Sequence, residues 1–219
     1  MTGTLPRTAS VTRPARPAGD AKLHAPAAVR NRDAICDMLR TYAPRNGRAL
    51  EIASGTGEHI VAFAAALPNV HWQPTEPDTP RRASIDAYVA EAGLQNVSPA
   101  IALDATAVGW HKTVPQNDLI FLANLLHLIP AASVQNLITE AALAMAPGGA
   151  LVLYGPFARD GVLTSEGDVQ FDSALRAADP SIGYKATNDL TCWIGDAGLI
   201  IVKVVEMPAN NLSFIARKP

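Results

Sequence analysis

Apolar and polar positions alternate along this chain in two rhythms that take turns. Over Pro26–Tyr42, Ala28, Ile35, Leu39 and Tyr42 fall on one helical face. Residues 44–47, with Pro44 and Gly47, break that helix, and 48–53 reads as a short buried strand. The pattern then predicts a helix over 57–66, a strand over 70–75, a helix over 80–92 ended by Gly93, and a strand over 97–103. Residues 118–123 are almost wholly apolar, as befits a strand buried on both faces. A helix over 131–145 stops at Pro147 and Gly148, and a strand follows over 150–154. Residues 155–184 read as irregular, longer than a mere connection needs to be. A helix over 188–197 and strands over 199–206 and 212–217 complete the chain.

Alternating strands and helices make a parallel sheet covered on both faces. The fold class expected is α/β, one doubly wound Rossmann-like domain spanning 23–219. Residues 1–22 are expected to form a disordered tail, rich in Pro, Thr, Arg and Ala without apolar periodicity.

Composition narrows the function. That tail carries a formal charge of +3, so the remaining body carries −5, which argues against a polyanion such as DNA or RNA as substrate. No apolar run approaches the length of a membrane span and no signal-peptide pattern opens the sequence. A small-molecule substrate in the cytoplasm is the resulting expectation, with no nucleic acid and no membrane. Cys36 and Cys192 read as two buried free thiols. The five histidines show no metal-ligand spacing with cysteines or paired carboxylates, so no metal is expected.

One segment carries chemistry. Glu51-Ile52-Ala53-Ser54-Gly55-Thr56-Gly57 is a strand end, an acid and a Gly-x-Gly turn running into a helix. Such a turn brings backbone close to a ligand at a helix N-terminus. A phosphate-binding P-loop needs Gly-Lys-Ser/Thr, which is absent. A dinucleotide fingerprint needs a third glycine where Ile60 stands. An acid four residues ahead of the first glycine instead suits a ligand with a positively charged end. Glu51 is hard to explain in an apolar strand without such a partner.

These residues closely resemble the first motif of class I S-adenosylmethionine-dependent methyltransferases, and further motifs follow in order. The resemblance implies a seven-stranded sheet of order 3-2-1-4-5-7-6 with the last strand antiparallel. It implies S-adenosylmethionine as cofactor, held by Glu51, Ser54, Gly55 and Gly57. Glu76 would then meet the ribose hydroxyls, with Asp78 as competitor, and Asp104 and Ala105 the adenine. Asn124 follows the fourth strand, and Ala146-Pro147-Gly148-Gly149 resembles the turn before the fifth. Arg30 and Asn31 on the first helix are placed with the cofactor as a lid. Stretches such as Ala27-Ala28-Val29-Arg30-Asn31-Arg32 and Met207-Pro208-Ala209-Asn210-Asn211 also resemble a small methyltransferase-like subfamily once known only as a domain of unknown function.

Ligands of open α/β sheets sit beyond the carboxyl ends of the strands. The candidates there for catalysis are His127 and Tyr154, and for substrate binding Phe157, Arg159, Asn210 and Asn211, with Trp110 a further aromatic. His127 has the ordinary chemistry of a general base. The implied reaction is in-line methyl transfer to a nitrogen or oxygen, which alignment largely drives. A catalytically silent cofactor-binding protein acting through partner contact is the alternative. Asp104 also suits a plain turn, and Asn210-Asn211 a hairpin.

Overall fold

In this computed structural model, residues 16–18 and 21–219 are described. The expectation for the tail therefore lies mostly outside the described residues. At its end, β1 (Arg16–Ala18) pairs antiparallel with β2 (Lys22–His24). The β2 backbone is tied to the body: Leu23 N donates to Ser84 Oγ, and Tyr88 Oη donates to Leu23 O.

The remaining elements are α1 (Pro26–Tyr42), β3 (Gly47–Ile52), α2 (Glu58–Ala66), β4 (Val70–Pro74), α3 (Thr79–Ala92), β5 (Asn117–Ala123), α4 (Ala131–Ala144), β6 (Met145–Ala158), α5 (Glu166–Ala178), β7 (Lys185–Ala186), α6 (Thr187–Asp196), β8 (Ile200–Glu206) and β9 (Asn211–Arg217). The main sheet runs β4-β3-β5-β6-β9-β8, with β9 antiparallel to both neighbours. Two parallel bridges, Trp72 to Val97 and Thr75 to Ile101, flank β4 on its outer side. With that segment counted third, the expected strand order stands. The segment is no full strand, because Pro99 has no N–H and Ala100 N donates to Asp86 Oδ1 on α3 instead. The seventh strand of the sheet is instead the two-residue β7, paired with the end of β6.

Strand alternation builds two cores. Leu50, Ile52, Ile120, Leu122, Leu151 and Leu153 pack with α4 and α6 on one face. Ala49, Leu119, Phe121, Ala150 and Val152 pack with α1 and α2 on the other. Both thiols are free, but only Cys36 is buried; Cys192 is exposed on α6.

The stretch expected to be irregular holds α5. Ser165 Oγ accepts from Asp168 N and donates to Asp168 Oδ2, a cap that starts the helix. Among the described residues no helix is long and apolar enough to cross a membrane.

Candidate active site

The glycine turn sits where β3 meets α2. Gly57 has φ +100°, and a Cβ there would come within 2.7 Å of Ile85 Cα on α3, so only glycine lets α3 close on the turn. Gly55 also has positive φ, and a Cβ on it would meet nothing within 4 Å. The space a side chain would take there is open.

Glu51 is the last residue but one of β3, at 2% exposure, and its Oε2 has no hydrogen-bond partner. Burial pushes its carboxyl up to about 8, against an opposing hydrogen bond from Ser54. Ser54 itself hydrogen-bonds by its backbone N–H to Thr75 O and by its hydroxyl to Glu51 O, joining the turn to β4. Glu76 follows β4, buried, with Oε2 accepting from Gly55 N at 3.0 Å and Oε1 from Asp78 N at 3.2 Å. Burial raises its pKa, and those two N–H groups and Arg81 oppose the rise. Asp78 caps α3 by accepting from Arg81 N, which separates the two acids: Glu76 faces the turn and Asp78 serves the helix.

Asp104 Oδ1 accepts from Thr106 N and Thr106 Oγ1, so the turn role holds for that oxygen. Ala105 is buried, and its carbonyl accepts from Trp110 Nε1. Trp110 is thus a prop under this loop and part of the core, not an acceptor wall. Asn124, at φ +57°, donates its backbone N–H to Tyr154 O and fixes the turn leaving β5.

On α1, Arg30 is exposed while Asn31 is half-buried. Asn31 Oδ1 lies 2.7 Å from His59 Nε2 and ties α1 to α2. His59 is therefore a buried packing residue, stacked on Phe63, with burial lowering its pKa to about 4.

The two residues expected to be catalytic pack against different surroundings. Tyr154, 1% exposed, lies in the core beneath α1 and α2. His127, in a short 3-10 turn after β5, packs against Phe171 and Tyr184 from the α5 side. Burial lowers the His127 pKa to about 4, with Lys185 adding to the drop, and its Nδ1 has no partner.

The expected substrate contacts are occupied elsewhere. Phe157 packs edge-on against Phe214 in the α4–α6 core and presents no open ring. Arg159 forms a two-pronged ion pair with Glu206 on β8, at 2.9 and 2.5 Å. Ala209 and Asn210 take positive φ in the β8–β9 turn, as a tight hairpin demands, and the Asn211 amide bonds back to Pro208 O and Ala209 O. Asn210 Nδ2 donates to Asp168 Oδ2 at 3.1 Å, clasping the hairpin to α5.

Asp168 is the residue that sequence reasoning missed. It also accepts from Tyr184 Oη at 3.0 Å, so it joins α5, the hairpin and the ring beside His127. The Ser165-x-x-Asp168 pattern was the available signal. Among the described residues no group of three His, Cys, Asp or Glu side chains is placed to hold a metal ion.

Residues 22–218 match the family described as a protein of unknown function, DUF938. The chain belongs to that family. Its fold is that of class I methyltransferases, since solved structures of this class superimpose on most of it. An O-methyltransferase family protein from Burkholderia thailandensis is 17% identical, with a TM-score of 0.75 over 88% of this chain and 57% of its own. The mitomycin 7-O-methyltransferase MmcR is 15% identical, with a TM-score of 0.75 over 89% of this chain and 55% of its own. An O-methyltransferase family 2 protein from Planctomyces limnophilus, in complex with apigenin, is 21% identical, with a TM-score of 0.72 over 88% and 58%. The DUF938 chain thus spans a little over half the length of these proteins.

Proposed function

We propose that this chain is an S-adenosylmethionine-dependent methyltransferase acting on an oxygen or nitrogen of a small molecule. The observation that carries it is Glu51: a buried carboxylate with one oxygen unpartnered, at the mouth of a glycine turn. Burying a carboxylate unpaired is costly, and an ammonium end of a ligand would repay it. The donor set fits the cofactor. Glu51 would meet its amino-acid end, Glu76 its ribose hydroxyls, and the Asp104–Ala105 loop its adenine, with the Gly55 backbone and Asn124 between. Bound there, the cofactor supplies an activated methyl group.

The chain's own residues then have two tasks. The Gly55 turn, α1 and the 3-10 turn after β5 hold acceptor and methyl in line and keep water away. His127, kept neutral by burial, would take the proton that the acceptor's oxygen or nitrogen loses on being methylated. A neutral amine acceptor needs only alignment.

Calorimetry with S-adenosylhomocysteine tests this reading. The protein binds it, and Glu76→Ala weakens binding by about 1–3 kcal/mol through lost charge-assisted hydrogen bonds. Methyl-labelled cofactor incubated with a cell extract then labels a small molecule. No binding of S-adenosylhomocysteine to the folded protein would overturn the assignment. Binding without transfer of label would leave the silent binding protein.

A further inference from the structure

The sheet face beneath α1 and α2 is apolar along most of its length, through Ala49, Leu119, Phe121, Val152 and Ile215. Its character changes at the carboxyl ends of the parallel strands. Tyr154 on β6 stands level with Ala123, the last residue of β5, and opposite Ser213 on β9. Tyr154 and Ser213 are 1% and 0% exposed, and neither hydroxyl has a hydrogen-bond partner. Fully buried, unpaired hydroxyls on two cross-strand partners weaken a fold, and phenylalanine and alanine would fill the same space without that penalty.

Asn31 on α1 and His59 on α2 bring no charge to this face. The Asn31 amide acts on the Tyr154 hydroxyl without reaching hydrogen-bond geometry, and burial outweighs it, keeping the phenol protonated. Asn31 Oδ1 is engaged by His59, which leaves its NH2 group as the one that acts on Tyr154. His59 is itself neutral. Glu51, on the same face, would repel an anion once ionised.

We infer that Tyr154, Ser213 and the Asn31 amide form a subsite beneath α1 for an uncharged hydrogen-bonding group of the acceptor, a hydroxyl, carbonyl or carboxamide. The inference rests on the methyltransferase reading and adds to it the chemical class of the acceptor's anchoring group. It also gives Tyr154 and His127 separate tasks: one grips the acceptor and the other stands at the atom that reacts.

Phenol, benzamide and benzoate serve as probes, titrated by ligand-observed NMR into protein saturated with S-adenosylhomocysteine. The wild type binds phenol or benzamide with millimolar affinity, and benzoate roughly tenfold more weakly. Tyr154→Phe and Ser213→Ala, both close in shape to the wild type, each weaken the neutral probe by about threefold or more, while Ser213→Ala keeps its affinity for S-adenosylhomocysteine. Equal probe binding by wild type and both variants, a preference for benzoate, or no neutral probe bound would overturn the subsite. If buried water alone completes the hydroxyls, probe binding is unchanged and only melting temperature moves. Failure of S-adenosylhomocysteine to bind would instead remove the methyltransferase reading, and the subsite with it.

Discussion

The β3–β4 side of the site and its β6–β9 side differ in how their polar groups are occupied. Beside the glycine turn, Glu51 keeps an oxygen unpartnered and the space a side chain would take at Gly55 is open. Across the sheet the polar groups close on one another: Arg159 on Glu206, Asn210 on Asp168, and Asp168 on Tyr184 and Ser165. Among the described residues, the buried side-chain groups left unsatisfied on that side are His127 Nδ1, Tyr154 Oη, Ser213 Oγ and Arg159 Nε. The difference separates two kinds of mutational response. Changes beside the turn should register as cofactor affinity, and changes to the closed polar pairs across the sheet as stability.

Glu51→Gln should give the largest effect and the sharpest test. Burial raises this carboxyl from 4.5 to about 8, so the folded chain holds the proton more tightly than the unfolded one. Its contribution to stability is complete below about pH 4.5 and is lost as pH rises through 8. The glutamine variant escapes that loss and melts higher than wild type at alkaline pH, while its affinity for S-adenosylhomocysteine falls about 10- to 100-fold. Near neutral pH, wild-type binding should also release protons, measurable by calorimetry in buffers of different ionisation enthalpy. A variant with lower melting temperature at pH 9 and full affinity would make Glu51 structural and erase the contrast.

His127→Ala comes next. With an acceptor identified, kcat should fall about 10²-fold with cofactor affinity unchanged. The acidic limb of the wild-type kcat profile should lie well below the usual histidine range, towards 4, and flatten in the variant. The stability side has the opposite sign to Glu51. A folded pKa held down at about 4 contributes stability above about 6.5 that is lost as pH falls through 4. A variant with the wild-type rate and the same acidic limb would leave His127 as scaffolding.

Asp168→Ala should cost about 1–3 kcal/mol, because it strands Tyr184 Oη and Asn210 Nδ2 and removes the acceptor of the Ser165 hydroxyl, while the backbone N–H that Ser165 caps remains. Affinity for S-adenosylhomocysteine should not change. A drop in that affinity would show that the two sides communicate.

The same division explains what the residues revealed in advance. The glycine turn was legible because close backbone approach admits only glycine at position 57, and because an acid ending an apolar strand needs a partner. The main strands were legible from alternation and from the unbroken apolar run of β5. Helix α5 was not, because its buried face carries Asp168 and Asp172 beside Leu175, and two inward acids cancel the hydrophobic period. Phe157 and Trp110 looked like acceptor contacts from their place in the chain, but which face a residue takes after a strand end depends on packing that no local pattern records. The pairing of Tyr154 with Ser213 joins positions 59 residues apart and needs the sheet register to be seen at all.

Arg159→Ala should produce the smallest effect, and its size bears on both sides of the comparison. Its guanidinium reaches Glu206 on β8 in two-pronged geometry, but the Glu206 side chain is 71% exposed and water screens the pair. Pairs of this kind contribute about 0–1 kcal/mol, less at high salt. Against that stands Arg159 Nε, which is buried without a partner and whose removal relieves a small penalty. The two contributions oppose each other, so the melting temperature of Arg159→Ala should stay within about 2 °C of wild type, and the difference should shrink with added salt. If Arg159 instead leaves Glu206 to grip an acidic acceptor, KM should rise about tenfold or more with kcat and stability held, and Glu206→Gln should lower KM by freeing the guanidinium. An unchanged KM in both variants would keep Arg159 as a clasp between β6 and β8 and leave recognition of the acceptor to the uncharged groups beneath α1.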